Sequence, residues 1–282
     1  MSRHVHAMWN AWLSTSRAFA TTLLIVAAGS PAAAGQNAAP QPPPSPGSSG
    51  DALVHALEIG TGLGGYDNGL GRTDDQFFRY RLSRVNDFNL ALDVGRERRF
   101  GETSLGGGVS FTKSLPGGPS VSAGWSTGSG YLLGPRYRVD VGVTQVVGEV
   151  LTTVGYTRRQ SKAANASDGV SIGAVRWFSH WIVGGNTRLD VGWPGRTIST
   201  SVGAGATWYQ WKSLYIGGEL NWGDVSYVLL PDTAAVGYRS LGGGISVSRW
   251  FNDRSGLNVR GNFGSTDLYR SGGLVMSVFR EF

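Results

Sequence analysis

The chain of 282 residues contains no cysteine, which excludes a disulfide framework and a lipid-modified amino-terminal cysteine. Small exported domains are often rich in disulfides, so an exported chain without them needs another kind of fold. Beyond its first 34 residues the sequence has no apolar run of the roughly 20 residues that a transmembrane helix requires. Charged residues make up only 16% of the chain, and the mean hydropathy of −0.12 suits strands with one apolar and one polar face.

Histidine is scarce, and its placement argues against an enzyme. Outside the amino-terminal segment the only histidines are His55 and His180, and neither has a convincing nucleophile and acid around it in the sequence. No metal site is expected, because there is no cysteine and no histidine pair at ligand spacing. The glycine runs at 106–108 and 242–244 lack a following helix, so they are not phosphate cradles, and no cofactor is predicted.

The amino terminus has the order of a secretory signal peptide. Arg3 and Arg17 precede an apolar stretch over residues 19–28, and small residues follow up to Ala34. A transmembrane anchor is the alternative, but ten apolar residues are too few to cross a bilayer. Residues 1–34 are therefore predicted to be a cleaved signal peptide that exports the chain.

A second composition change marks the start of the folded domain. Residues 35–50 hold five of the eleven prolines and almost no apolar side chains, which predicts a disordered linker rich in Pro, Gly and Ser. From residue 51 to residue 282 the chain consists of short alternating runs broken by turn residues. We interpret residues 51–282 as one domain.

The alternating runs predict an all-β domain of about fourteen strands, with twelve or sixteen as alternatives. The predicted strands cover residues 52–63, 74–85, 88–98, 102–113, 119–127, 135–146, 149–160, 168–178, 181–193, 197–210, 213–223, 237–249, 256–266 and 271–282. Most reach the roughly 9 to 11 residues with which a tilted strand crosses a bilayer. In hydrocarbon every backbone polar group must be paired internally. The sequence therefore predicts a transmembrane antiparallel up-and-down β-barrel in a bacterial outer membrane.

Two further patterns support a membrane barrel. Alternate connections are tight, whereas the others include longer segments at 64–74, 128–134, 161–167 and 224–236, as expected for periplasmic turns and outer loops. Aromatic residues also lie near both ends of the strands, which predicts two interfacial girdles. Near the short turns these are Phe111, Trp177, Phe178, Trp181, Trp208, Tyr209, Trp211, Tyr215, Trp250, Phe251 and Phe282. At the other edge they are Trp125, Tyr137, Tyr156, Trp193, Trp222 and Phe263.

The polar faces of the strands predict a charged lumen. The candidate lumen-lining residues are Arg79, Arg81, Asp93, Arg136, Arg138, Asp140, Arg188, Asp190, Glu219 and Arg260. One interpretation is a network of paired charges that packs and rigidifies the barrel. The other is a constriction that selects solutes by charge. The formal net charge of +6 does not indicate a nucleic-acid partner, because the arginines are dispersed and the chain is exported.

The last segment, SGGLVMSVFREF, alternates apolar and small residues and ends on Phe282. A terminal amphipathic strand that ends in an aromatic residue is how such a barrel closes on its first strand. Phe282 is therefore predicted to be the barrel-closing residue, and the predicted partners include outer-membrane lipid and, during biogenesis, the barrel-assembly machinery.

Several segments resemble the YaiO family of outer-membrane β-barrel proteins. They are NLALDVGRERRFGET at residues 89–103, RYRVDVGVTQVVGEVLTTVGYTRRQ at residues 136–160, and the closing hairpin. The resemblance implies a barrel in the outer membrane and supplies no catalytic or ligand residues. Some relatives carry periplasmic repeats, which implies an exported polysaccharide or a periplasmic export partner, although this chain has no repeat region. Relatives also tend to have an aromatic residue where this chain has Arg280.

These observations predict a YaiO-type barrel that acts as a channel, or as an export-associated barrel, for small or saccharide solutes. One alternative is a structural or adhesion barrel with a plugged lumen. A less favoured alternative is an outer-membrane lipid hydrolase that would depend on His55 or His180.

Overall fold

The computed structural model describes residues 53–67, 69–130, 135–162, 165–193, 196–225 and 238–282. The predicted signal peptide and linker lie outside these residues. All regular elements in the described part are β-strands. The described segments hold no helix with the length and hydropathy of a membrane-spanning one.

Fourteen strands follow one another along the described part of the chain. They are β1 (Leu53–Tyr66), β2 (Gly71–Arg84), β3 (Phe88–Arg99), β4 (Glu102–Ser114), β5 (Ser120–Gly128), β6 (Pro135–Val147), β7 (Val150–Ser161), β8 (Ala166–Trp177), β9 (Trp181–Trp193), β10 (Thr197–Gln210), β11 (Leu214–Val225), β12 (Tyr238–Asn252), β13 (Ser255–Thr266) and β14 (Arg270–Glu281). The strand number agrees with the prediction from the sequence.

Each strand pairs antiparallel with its neighbours in the chain, and β1 pairs with β14 to close the barrel. This closing seam runs from Ala56 opposite Glu281 to Tyr66 opposite Ser271. Because the ring is complete, the barrel has no free sheet edge. The predicted fold class, an all-β up-and-down barrel, is confirmed.

Residue alternation explains why each strand has two faces. In β10 the apolar side chains of Ile198 and Val202 are 66% and 47% exposed, because they point away from the barrel. Ser199 and Thr207, on the other face of the same strand, are only 6% and 8% exposed. The exterior is therefore apolar and the interior polar, the reverse of a soluble protein and the arrangement that lipid requires.

The connections are shorter than the sequence predicted. The predicted loop at 64–74 is wrong, because β1 extends to Tyr66 and β2 begins at Gly71. The polar residues of this segment stay hydrogen-bonded within the sheet. Strands can extend beyond the apolar band of the membrane, and there their outward side chains need not be apolar. The predicted long loop at 224–236 falls mostly on residues 226–237, outside the described residues. We call the barrel end with connections 67–70 and 100–101 the loop end, and the end with both termini of the barrel the turn end.

The predicted aromatic girdles are present only in part. At the loop end Trp125 and Trp222 face outward, 48% and 59% exposed, and at the turn end Trp181 is 48% exposed. However, Tyr215 and Trp250 are only 3% and 4% exposed and lie inside the barrel. The prediction that they belong to the girdle is wrong, because the alternation of their strands points them inward although they lie next to turns. Trp177 and Tyr209 share inward-facing strand positions and are likewise not girdle residues.

Candidate functional site: the charged lumen

The structure places nine of the ten predicted lumen residues on the inner face of the barrel wall. Arg79, Arg81 and Arg188 are 7%, 7% and 6% exposed, which is unusual burial for arginine. Arg136 is different: it is exposed and lies in a register irregularity between Pro135 and Tyr137 at the loop end of β6. It does not join the charged networks described below.

Glu58 of β1 is the centre of the first network. Its carboxylate lies 3.1 Å from Nη1 of Arg79 and 3.8 Å from Nη2 of Arg81. It also accepts hydrogen bonds from Ser277 Oγ at 2.6 Å and from Asn258 Nδ2 at 3.0 Å. Since these partners come from β2, β13 and β14, one carboxylate links four strands across the closing seam.

The first network extends to both sides of Glu58. Arg79 also forms an ion pair with Asp93 of β3. On β11 and β13, Glu219 and Arg260 form a further ion pair, which spans the intervening β12. The pair passes Gly244, where an added Cβ would lie 3.5 Å from Arg260 Nε. The absence of a side chain at this glycine lets the two charges meet along the wall.

Arg81 is less well paired than Arg79. Its side chain is 9% exposed and its only ion pair in the described part of the chain is the 3.8 Å contact with Glu58. Its Nε atom is buried and has no hydrogen-bond partner there. The buried positive charge of Arg81 is therefore compensated mainly by the carboxylate of Glu58.

The second network lies on β6, β7 and β9, about half way round the ring from the first. Arg138 binds Asp140 through Nη2 and Oδ1 at 2.8 Å, and Arg188 binds Asp190 through Nε and Oδ2 at 2.6 Å. Thr157 joins the two pairs, donating to Asp140 at 2.7 Å and accepting from Arg188 at 3.5 Å. The two pairs form one continuous polar belt.

Arg159 of β7 belongs to the same wall and was not among the predicted lumen residues. In register it lies directly opposite Arg138. It has no ion pair or hydrogen bond with any described residue. Continuing the alternation of Gly155 and Thr157 along β7 to residue 159 would have identified it from the sequence.

Aromatic side chains narrow the lumen at the turn end. The Trp250 and Phe279 rings pack edge to face with centroids 4.7 Å apart. Lys212, in the turn after β10, lies 5.0 Å from the Trp250 ring centroid and 3.5 Å from the Glu281 carboxylate. The charged networks therefore stand above a packed aromatic layer.

Several lumen carboxylates nevertheless reach water. The side chains of Asp93, Glu219 and Asp140 are 34%, 32% and 26% exposed, although all three point into the barrel. An interior filled completely by side chains would leave them dry. The inner walls therefore border a solvent-accessible space.

The carboxyl-terminal residue completes the closing seam. Phe282 and His55 exchange two backbone hydrogen bonds of 3.0 and 3.1 Å, and their rings stack at a centroid distance of 5.9 Å. The His55 ring also bonds the Tyr80 hydroxyl at 2.7 Å. Phe279 faces inward, whereas Arg280 faces outward and is exposed. The basic side chain therefore stands at the turn-end edge, where a lipid headgroup can solvate it.

The two histidines of the hydrolase alternative lie apart, on β1 and in the turn before β9, about half way round the ring from each other. The partners of the His55 ring are Tyr80 and Phe282, and neither is a nucleophile with an adjacent acid. His180 is exposed in the turn before β9. The described residues contain no group of histidine and acidic side chains arranged to hold a metal ion.

Comparison with known proteins defines the class of the fold. No protein-family model and no curated protein matches the chain, so the resemblance to the YaiO family stays a prediction. Among solved structures, Omp33 of Acinetobacter baumannii is 16% identical with a TM-score of 0.51, over 80% of this chain and 98% of that one. The CymD monoaromatic hydrocarbon channel is 10% identical with a TM-score of 0.52, over 83% and 88% of the two chains. A bacterial polysaccharide outer membrane secretin is 9% identical with a TM-score of 0.53, over 81% and 98%. At these identities the likeness shows the fold alone, which is that of outer-membrane β-barrels.

Proposed function

We propose that this protein is an integral outer-membrane β-barrel of YaiO type that conducts small polar or saccharide solutes. It is exported by its signal peptide and inserted by the barrel-assembly machinery, which reads the last strand and Phe282. Outer-membrane lipid surrounds its apolar exterior. An exported polysaccharide or a periplasmic export partner fits the same proposal.

The observation that carries the proposal is the partial exposure of the carboxylates inside the barrel. The side chains of Asp93 and Glu219 keep about a third of their surface in contact with solvent while their ion-pair partners lie on the same wall. Charges that are paired along a wet wall are suited to the passage of polar solutes, because they replace part of a solute's hydration shell. Solved structures of the same fold include a hydrocarbon channel and a polysaccharide secretin, which agrees with a conduit without indicating its solute.

A barrel with a plugged lumen is the second candidate, and one observation favours it. The buried Trp250, 4% exposed, packs against Phe279 and beneath Lys212 at the turn end. If this layer is a permanent closure, the protein has a structural or adhesive role. A lipid hydrolase is not favoured, because the contacts of His55 are those of a girdle residue.

Single-channel recording of the full chain, folded in detergent and inserted into a planar bilayer, separates the two candidates. A channel gives discrete conductance steps, whereas a plugged barrel gives none. The same preparation should resist unfolding in SDS until it is heated. Recovery of the native protein in the soluble periplasmic fraction, without a heat-dependent gel shift, would contradict the membrane location as well.

A further inference from the structure

An unusual charge arrangement occurs where β6 and β7 approach the loop end. Arg138 and Arg159 face each other directly across the two strands, and like charges in such positions destabilise a sheet. Arg188 of β9 extends toward them and reaches Thr157, the neighbour of Arg159 on the inner face of β7. Three guanidinium groups are thus gathered on one patch of the inner wall.

The carboxylates on this wall are already bound by other groups. Asp140 accepts three hydrogen bonds of 2.8 to 3.1 Å from Arg138 and a fourth from Thr157 at 2.7 Å. Asp190 accepts two from Arg188, at 2.6 and 2.7 Å. Among the described residues, no carboxylate on this wall is hydrogen-bonded to Arg159.

Two carboxylates interact electrostatically with Arg159 without bonding to it, Asp190 on the same wall and Glu97 from another part of the lumen. Glu97 of β3 interacts electrostatically with Arg159, but it forms its ion pair with Arg99, at 2.6 Å between Oε1 and Nε. The wall therefore gathers three arginines and two carboxylates and leaves one guanidinium directed at the lumen. Its five N–H donors form a planar fork that matches an oxyanion.

We propose that Arg159, with Arg138 and Arg188 beside it, forms a subsite for an oxyanion carried by the solute, either a carboxylate or a phosphate. This inference rests on the proposed channel function and specifies its solute as acidic. In the empty subsite the guanidinium groups of Arg138 and Arg159 repel each other. A bound oxyanion relieves this repulsion. Guanidinium groups bind both anions in two-point geometry, so the experiment must distinguish them.

Calorimetric titration of the full chain in detergent tests the subsite without depending on conductance. The probes are sodium glucuronate, inorganic phosphate and neutral glucose, at constant ionic strength. We expect one of the two anions to bind and glucose not to bind, and the stronger anion identifies the oxyanion. Arg159→Gln should weaken that binding roughly tenfold or more, because it removes hydrogen bonds to a charged group.

The adjacent arginine provides the matched control. Arg158 lies on the same strand, faces outward and pairs with Asp168, so Arg158→Gln should leave anion binding unchanged. Arg159→Lys, which keeps the charge and loses the fork, should retain part of the affinity. Because repulsion with Arg138 disappears, Arg159→Gln should unfold at a temperature no lower than the parent protein. That result distinguishes a binding role from a structural one.

The outcomes separate this inference from the proposed function. Conductance steps together with equal or absent binding of all three probes would overturn the subsite and leave the channel. Wild-type anion affinity in Arg159→Gln would also overturn it. Anion binding that depends on Arg159, in a barrel that never conducts, would support the subsite and refute the channel.

Discussion

Replacement of Glu58 by glutamine should destabilise the barrel strongly. The side chain is 14% exposed and lies beside two arginine side chains that are each 9% exposed. Glutamine keeps groups able to bond Ser277 and Asn258, but it removes the negative charge. Arg79 retains Asp93, whereas Arg81 loses its only ion-pair partner within the described chain.

The magnitude follows from the burial of the unpaired charge. Removing one partner of a buried ion pair costs about 3 to 5 kcal/mol. We expect a loss of about 3 kcal/mol for Glu58→Gln, at the lower end of that range, because Arg81 already lies 3.8 Å from the carboxylate and the new amide keeps part of the hydrogen bonding.

Urea unfolding in detergent, followed by tryptophan fluorescence, measures the difference. Glu149→Gln is the matched control, since Glu149 pairs with Arg176 where the two side chains are 41% and 48% exposed, and its loss should cost at most about 1 kcal/mol. If the two variants lose the same stability, Glu58 is not the electrostatic centre of the seam and the reasoning is refuted.

Three further changes test other parts of the structure. Gly169→Ala should lower the unfolding temperature, because the new Cβ would overlap Asp190 and Arg188. Gly261→Ala is the control, since its Cβ meets nothing within 4 Å. Equal unfolding temperatures of the two variants would contradict the packed polar belt. Trp250→Ala should raise single-channel conductance by opening the turn end while costing about 3 to 5 kcal/mol of stability, and the outward Trp222→Ala should leave conductance unchanged. Phe282→Ala should reduce the yield of heat-modifiable barrel in membranes, because the ring stacked on His55 is lost, and an unchanged yield would show that the last residue does not guide assembly.

The sequence predicts which face of a strand each residue occupies better than it predicts the register between strands. Alternation within β2 and β6 places Arg79 and Arg138 on the inner face with no knowledge of the neighbours, because the strand period is two. The role of Glu58 could not be predicted in the same way. Its contacts with Asn258 and Ser277 depend on the register and shear of the closed ring, which no local pattern states.

The aromatic residues show a different failure. Trp250 follows Ser246 and Ser248 at alternate positions of β12, and that small polar series already indicated an inward face. Nearness to a turn predicts a girdle position only for residues on the outward face of a strand. The inward position of Trp250 could therefore be predicted from its own strand. The pairing of Arg260 with Glu219 across an intervening strand could not, because it depends on the assembled barrel.

The direction of the ion pairs reconciles the two interpretations of the charged lumen. Apart from Lys212 with Glu281 at the turn end, every described ion pair on the inner face joins residues of one strand or of strands at most two apart, as for Arg138 with Asp140 and Arg260 with Glu219. Pairing along the wall stiffens the barrel without drawing opposite walls together. A network that packs the wall and a lumen that passes solutes are therefore compatible. In the proposed channel, the layer of Trp250, Phe279 and Lys212 at the turn end is the described obstacle to a solute, and the charges above it line the wall.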